Sequence, residues 1–428
     1  MAAQFHLRDS VLHCEGVSLP RIATEVGTPV YIYSAGAMRD NARALREALG
    51  GVDDPLIAYA VKANPNAAVL ATLAAEGFGA DIVSGGELLR ALNAGIPADK
   101  IMFSGVGKTR EEMRLGLEAG ICQFNLESGQ EAEMLSAVAV EVGRDAPVGF
   151  RVNPDVEPGT HAKISTGAAR SKFGIPVAEA LAEYARAASL PGLKVQGIAV
   201  HIGSQLTSLV PFEQAFRTVG ALIRELHSAG HDIGLADLGG GLGVLYDPAA
   251  PHPPGPQDYG EMVRRMTSDW GVRLVFEPGR FIVANAGVLL TEVIRVKRGA
   301  EHPFVVVDAA MNDLMRPTLY DAWHAIEAVR PSGERMTANV VGPVCETGDT
   351  FATGRDMDSA AAGDLLVFRT TGAYAATMAS TYNSRPLTPE VLVDGQRWAV
   401  VRPRIEVQRL IEADVIPEWL DRGGAPHS

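Results

Sequence analysis

From about residue 56 onward, short apolar runs alternate with amphipathic stretches, and turns rich in glycine and serine separate them. The strand candidates are LIAYAVK (56–62), GADIV (79–83), KIMFS (100–104), CQFNL (122–126), VGFRV (148–152), VQGIAVH (195–201), LADLG (235–239) and RLVFE (273–277). Their apolar character is continuous, not alternating, as expected for parallel strands covered by helices. Helix starts are marked by Ser84…Glu87, Thr109…Glu112 and Ser128…Glu131, each spaced as a capping box. Eight such units predict an α/β fold, a (β/α)8 TIM barrel, in preference to an open six-stranded sheet of similar local pattern.

Beyond about residue 283 the pattern changes. GVLLTEVIRV, PFVVVDAA, DLLVFRT and RWAVVRP follow one another with turns but few helices between them. This predicts a second, mostly antiparallel β domain, barrel-like or sandwich in form. The early segment QFHLRDSVLHCEG is also strand-like. The expected division is therefore a barrel over 27–282 and a β domain made from 1–26 plus 283–428. The proline-rich stretch DPAAPHPPGPQDY (247–259) reads as a surface excursion.

Composition narrows the function classes. A chain of 428 residues exceeds the size of one core, which agrees with two domains. With 47% hydrophobic and 21% charged residues it is an ordinary globular composition. A net charge of -13 argues against a nucleic-acid partner, since phosphate binding needs clustered cations. The start, MAAQFHLRDS, lacks the apolar stretch of a signal peptide, and no run reaches membrane-spanning length. Cys14, Cys122 and Cys345 are far apart with no CxxC pairing, so no metal is expected and a reducing compartment fits best. A cytoplasmic protein without a membrane partner is the expectation.

In a barrel, reactive side chains lie where strands end. Those positions hold Lys62, Asp81, Ser84, Ser104, Asn125, Arg151, His201, the run Gly239–Gly243 and Glu277. A lysine ending an apolar strand sheds hydration, and desolvation lowers its pKa toward what a Schiff-base amine requires. Taken alone, such a lysine more readily snorkels to solvent. The GGGLG run (239–243) offers backbone N–H groups to a phosphate, and it fails the dinucleotide fingerprint because Val244 stands at the last glycine position. GVGKT (105–109) fails the phosphate-loop pattern, with Met102 where the first glycine belongs. EPGR (277–280) sets a carboxylate, a glycine and an arginine together. His201 can stack on an aromatic ring, though a lone histidine is more often a hydrogen-bonded structural residue.

These segments, AYAVKAN (58–64), GADIVSGGEL (79–88), SKFGI (171–175), HIGSQ (201–205), DLGGGLG (237–243) and EPGR, together with MNDLMRPTLYDAWH (311–324) and VVGPVCETGD (340–349), resemble the motifs of the diaminopimelate decarboxylase family. That family belongs to the alanine racemase-like, fold type III enzymes that use pyridoxal 5'-phosphate (PLP). The resemblance spans nearly the whole chain. The first motif is shared with racemases and ornithine decarboxylases and identifies the cofactor only, whereas the last two discriminate. One departure stands out: HAKISTG (161–167) replaces the family's frequent HPYISTG and puts Lys163 in that loop.

The resemblance implies that Lys62 carries PLP, that Glu277 pairs with the pyridine nitrogen and that His201 lies on the ring face. It implies Ser204, Gly240, Gly241, Gly279 and Arg280 near the phosphate, and Tyr374 against cofactor and substrate. Arg280, Arg316 and Tyr320 would meet the remote carboxylate of an amino-acid substrate, and Glu346 its ammonium. By residue type alone, Arg316, next to Pro317, could equally be a surface loop residue. Cys345 would return a proton to Cα, its thiol being mostly protonated at neutral pH. The implied reaction is decarboxylation of meso-diaminopimelate to L-lysine and CO2 by a homodimer with shared active sites. Rivals are decarboxylation of ornithine, lysine or carboxynorspermidine, an alanine racemase-like activity, and a non-catalytic PLP-binding regulator. A site built for a second amino-acid group rejects substrates that lack it, by roughly 10^4.

Overall fold

A computed structural model describes residues 4–157, 159, 166–167 and 171–420. Lys163 and most of the HAKISTG loop lie outside the described residues.

All eight expected strands form, as Leu56–Ala60, Gly79–Ile82, Ile101–Phe103, Gln123–Leu126, Ala146–Asn153, Leu193–Ala199, Leu235–Asp237 and Arg273–Phe276. Each pairs in parallel with the next, and the eighth pairs with the first, so the sheet closes into a barrel. A short strand, Ile175–Pro176, is added outside the fifth. The lower interior is plugged by Leu56, Ala58, Met102, Leu235 and Val275. Above them Gln123, fully buried, occupies the space left by two strand glycines, since a Cβ at Gly149 or Gly197 would run into its amide. Helix Val210–Ser228 shows why the wrapping segments pack: its buried residues Phe212, Ala215, Phe216, Val219, Leu222, Ile223 and Leu226 recur at helical spacing.

The Thr109–Glu112 capping box closes as expected, with the Glu112 carboxylate accepting from the Thr109 N–H at 3.0 Å. The other two differ. Ser84 and Ser128 cap the N–H of Glu87 and Glu131, while those glutamates accept from Val83 and Glu127, one residue further back. The proline-rich excursion also ends early. Helix Pro256–Thr267 starts inside it, with Pro256 in the first turn, where its missing N–H has no helical partner to lose.

The second domain is a mostly antiparallel sheet in which Gly287–Lys297 is the longest strand and runs beside Phe304–Val307 and Leu365–Phe368. Val30–Ser34, inside the span expected for the barrel, joins this second sheet, antiparallel to Gly287–Lys297 and parallel to Glu390–Asp394. The first strands, Phe5–Arg8, Val11–Cys14 and Val17–Ser18, form an antiparallel sheet of their own. It packs on the second domain through Leu12, Cys14 and Val17, joined by Ile22 of the following helix Leu19–Val26, against Val288, Val367 and Val391. Among the described residues no helix is long and apolar enough to cross a membrane.

Candidate active site

The carboxyl ends of the barrel strands face two adjoining cavities of about 380 and about 480 Å³, which share Lys62, Thr166 and His201. Ser104, Asn125, Arg151, Asp237 and Glu277 line the inner one. Ser204, Tyr246, Arg280, Arg316, Tyr320 and Tyr374 line the outer one. Two sequence-distant halves therefore meet at Lys62.

Lys62 lies in the 3-10 turn Val61–Ala63 that ends the first strand. The second domain grips this turn, because the Tyr374 N–H donates to the Ala63 carbonyl at 2.8 Å and the Asn64 amide donates to that of Gly372. Its Nζ donates to Asp81 Oδ2 at 2.5 Å, and Asp81 is fully buried with Oδ1 unpartnered. The expected drop in the Lys62 pKa is overturned here. Burial does work to lower it, but the carboxylates of Asp81 and Glu277 outweigh burial and hold the ammonium above the ordinary lysine value.

Asp237 and Glu277 end the last two strands as a buried carboxyl pair. Burial and then the Asp237 carboxylate push Glu277 well above its usual range, and burial raises Asp237 to about 6. Asp237 accepts from Asn125 at 2.7 Å and from the Gly239 N–H at 2.9 Å, and Glu277 accepts from Ser104 at 3.4 Å. Two like charges this close favour one shared proton. Because folding raises the Asp237 pKa, its contribution to stability is full below pH ~4 and is lost as pH rises through ~6. Urea melts of ligand-free protein should show Asp237→Asn gaining on the parent by roughly 2 kcal/mol between pH 4 and pH 7. Parallel pH profiles for the two proteins would rule this out.

His201 follows the sixth strand. Burial, then the Arg151 and Lys62 cations, keep its ring neutral, well below the ordinary histidine pKa. The Gly240 N–H donates to Nδ1 at 3.2 Å, so the ring proton sits on Nε2. The Arg151 guanidinium and Thr166 hydroxyl donate to the His201 carbonyl at 3.0 and 2.9 Å. Within the glycine run, the N–H groups of Gly239 and Gly240 are thus committed to Asp237 and His201. Gly241 has φ +117, and a Cβ there would lie 2.6 Å from the Gly203 carbonyl oxygen, so only glycine fits. Gly240, Gly241 and Gly279 line a crevice of about 20 Å³, separate from the walls of the larger cavities.

Arg280 opens the short helix Arg280–Val283 and donates to Ser204 at 3.0 Å and to the Tyr246 hydroxyl at 2.6 Å, with Tyr374 4.7 Å from its guanidinium. Arg316 opens the helix Arg316–Tyr320, is only 6% exposed and also donates to Tyr246, at 2.5 Å. It is not a surface loop residue. Cys345 and Glu346 behave differently. Both are exposed and neither lines the two cavities; the Cys345 N–H donates to Asn383, and Glu346 bonds the Tyr382 phenol. Ser84 serves as a helix cap and does not line the cavities.

The chain's own groups fit PLP. An amine enters a cavity of suitable size, a buried carboxyl pair faces it, a neutral imidazole lines it, and a glycine backbone that no side chain can fill lies alongside. Asp237 was not singled out in the sequence, although an acid inside the apolar LADLG strand was a usable signal. Tyr246 carried none.

The profile of the family described as "Pyridoxal-dependent decarboxylase, pyridoxal binding domain" matches residues 36–284. Diaminopimelate decarboxylase of Zymomonas mobilis is 54% identical over 97% of this chain and 99% of its own length. That of Pseudomonas aeruginosa is 51% identical over 95% and 97%. The crystal structure of diaminopimelate decarboxylase from M. jannaschii in co-complex with L-lysine superposes with a TM-score of 0.93 at 36% identity, covering 97% of this chain and 98% of that one.

Proposed function

This chain belongs to the diaminopimelate decarboxylase family of PLP-dependent enzymes, and from that premise we propose how its residues decarboxylate meso-diaminopimelate at its D-centre, releasing CO2 and L-lysine. The observation that carries the reading is the pair of buried guanidiniums, Arg280 and Arg316, on the same cavity as Lys62. Such a pair suits a carboxylate remote from the reacting carbon, through parallel charge-assisted hydrogen bonds. Ornithine in the same orientation has no remote carboxylate and would leave both cations unmatched.

PLP, when bound, supplies an electron sink for the pair left on Cα as CO2 departs. Lys62 is the residue that holds it covalently. Glu277 would hold a proton at the pyridine nitrogen, with Asp237 paired to that carboxyl. Neutral His201 would serve the ring face. Ser204, Gly240, Gly241, Gly279 and Arg280 would hold the phosphate, with Gly240 acting by fixing His201. Arg280, Arg316, Tyr320 and Tyr374 orient the remote end of the substrate, and Glu346 takes its ammonium.

Cys345 returns a proton to Cα, and it does so from a second copy of the chain. Its exposure, and that of Glu346, outside both cavities supports a homodimer in which each chain completes its partner's site. A reducing, cytoplasmic setting agrees with three free thiols.

The experiment is a comparison of turnover. Purified protein with PLP should release CO2 from meso-diaminopimelate with a kcat/KM roughly 10^4-fold above that for ornithine or L-lysine. Comparable rates on ornithine would defeat the substrate reading, and bound PLP without turnover on any of the three would favour the regulator.

A further inference from the structure

The outer cavity contains a tyrosine, Tyr246, whose position is unexplained by any role given above. Tyr246 lies seven residues beyond the start of the glycine run, at the edge of the proline-rich loop. Its hydroxyl oxygen accepts from Arg280 Nη1 at 2.6 Å and from Arg316 Nη1 at 2.5 Å. Its ring lies under both cations, 5.7 Å from the Arg280 guanidinium carbon and 4.4 Å from that of Arg316. Behind it, the ring of His324 packs edge-on at 5.3 Å. His324 is buried, with its Nδ1 on the Arg369 carbonyl at 2.8 Å, and burial together with the Arg316 cation pushes its pKa down to about 3, so it is a neutral wall and not a third cation.

Two buried guanidiniums repel each other, and bringing both to one point needs an acceptor shared between them. Here that acceptor is a phenol oxygen, in the kind of place a carboxylate oxygen takes in a charge-assisted bond. A phenol has two lone pairs and one proton. With both lone pairs taken by cationic donors, the O–H is left to donate, and the cations polarise it toward stronger donation. The Nε atoms of Arg280 and Arg316 are both buried without a partner, so each guanidinium is held at its tip and keeps a further donor.

We propose that Tyr246 is a specificity-determining residue that gathers Arg280 and Arg316 into one clamp and adds its own O–H as a donor to the substrate's remote carboxylate. The proposal rests on the reading that these two arginines face that carboxylate. It makes the clamp three donor groups on one oxyanion, and it assigns a task to a loop that the catalytic motifs do not reach.

The test is Tyr246→Phe, which keeps the ring beneath both guanidiniums and removes only the hydroxyl. Calorimetry on the PLP-loaded enzyme compares L-lysine with 1,5-diaminopentane, the same amine without the carboxylate. The variant should bind L-lysine about 10- to 100-fold more weakly, the range for losing a hydrogen bond to a charged group, and 1,5-diaminopentane as before. In steady state, KM for meso-diaminopimelate should rise by a similar factor with kcat little changed. PLP stoichiometry and its absorbance band, unchanged from the parent, check that the fold is intact. An equal loss for both ligands, or no loss for L-lysine, overturns the proposal. Arg316→Met separates the two levels. If that variant binds L-lysine normally, the carboxylate reading of the cavity fails; if it binds weakly while Tyr246→Phe does not, only the role of Tyr246 fails.

Discussion

Lys62→Ala is expected to lower kcat/KM for meso-diaminopimelate by about 10^3-fold or more, toward the upper end for losing a positioned proton-transfer group. Borohydride reduction followed by dialysis should leave PLP attached to the parent protein and none attached to the variant. A second lysine, Lys108, bonds two residues of the inner cavity's wall, Gly105 and Asn125, and its own contacts explain why it does not substitute. Lys108 Nζ is enclosed by bonds to the Gly105 and Asn125 carbonyls and the Glu131 carboxylate, at 2.8, 2.7 and 2.7 Å, and its side chain is 0% exposed. Lys62 is 35% exposed at its side chain and bordered by both cavities. An ammonium must lose a proton before it can react as a nucleophile. Asp81, in contact with Nζ, is the acceptor at hand. With Lys62 gone, Asp81 is left buried without its counter-charge, so circular dichroism of the variant is the check that it stays folded. A reduced label recovered on any peptide other than the one holding Lys62 would sink the assignment.

The same residue shows what was legible in the chain and what was not. The eight strands were readable because each is a continuous apolar run, and burial of both faces is a local demand on residue type. The direction of the Lys62 pKa was not readable. It is set by Asp81, nineteen residues away on the neighbouring strand, and by Glu277 on the last one, and a hydropathy pattern does not say which acids share a barrel end. Val30–Ser34 shows a similar limit. VYIYS is plainly a strand by its β-branched and aromatic residues, yet which of two sheets it joins depends on pairing with Gly287–Lys297, over 250 positions later. Tyr246 shows the extreme case, since a tyrosine in a loop carries no mark of the two cations that converge on it. The arginines themselves were found by motif, and the cavity adds that both are buried and directed at one point.

The second large effect concerns Cys345. Alone, Cys345→Ala should lose about 10^2- to 10^4-fold in turnover, as for other positioned proton donors. Mixed with Lys62→Ala chains, it should recover. In a two-fold symmetric dimer with shared sites, each site takes Lys62 from one chain and Cys345 from the other. A heterodimer of the two variants then has one site with neither residue and one site with both. Random exchange of equal amounts makes about half the dimers mixed, and half of their sites are whole, so activity should climb to about a quarter of the parent value. If instead Cys345 served the cavity of its own chain, every site in every dimer would lack one residue and mixing would restore nothing. The geometry favours exchange, because Cys345 is exposed, its N–H is fixed by Asn383, and it lines neither cavity of its own chain. Glu346→Ala paired with Arg316→Ala extends the logic to the substrate's remote end, where the proposed shared site takes its ammonium and carboxylate contacts from different chains. Mixing those two should restore a parent-like KM in the same quarter of sites, and subunit exchange followed by native mass spectrometry confirms that the chains have mixed. Exchange without any recovery in either pair would place the proton donor within its own chain.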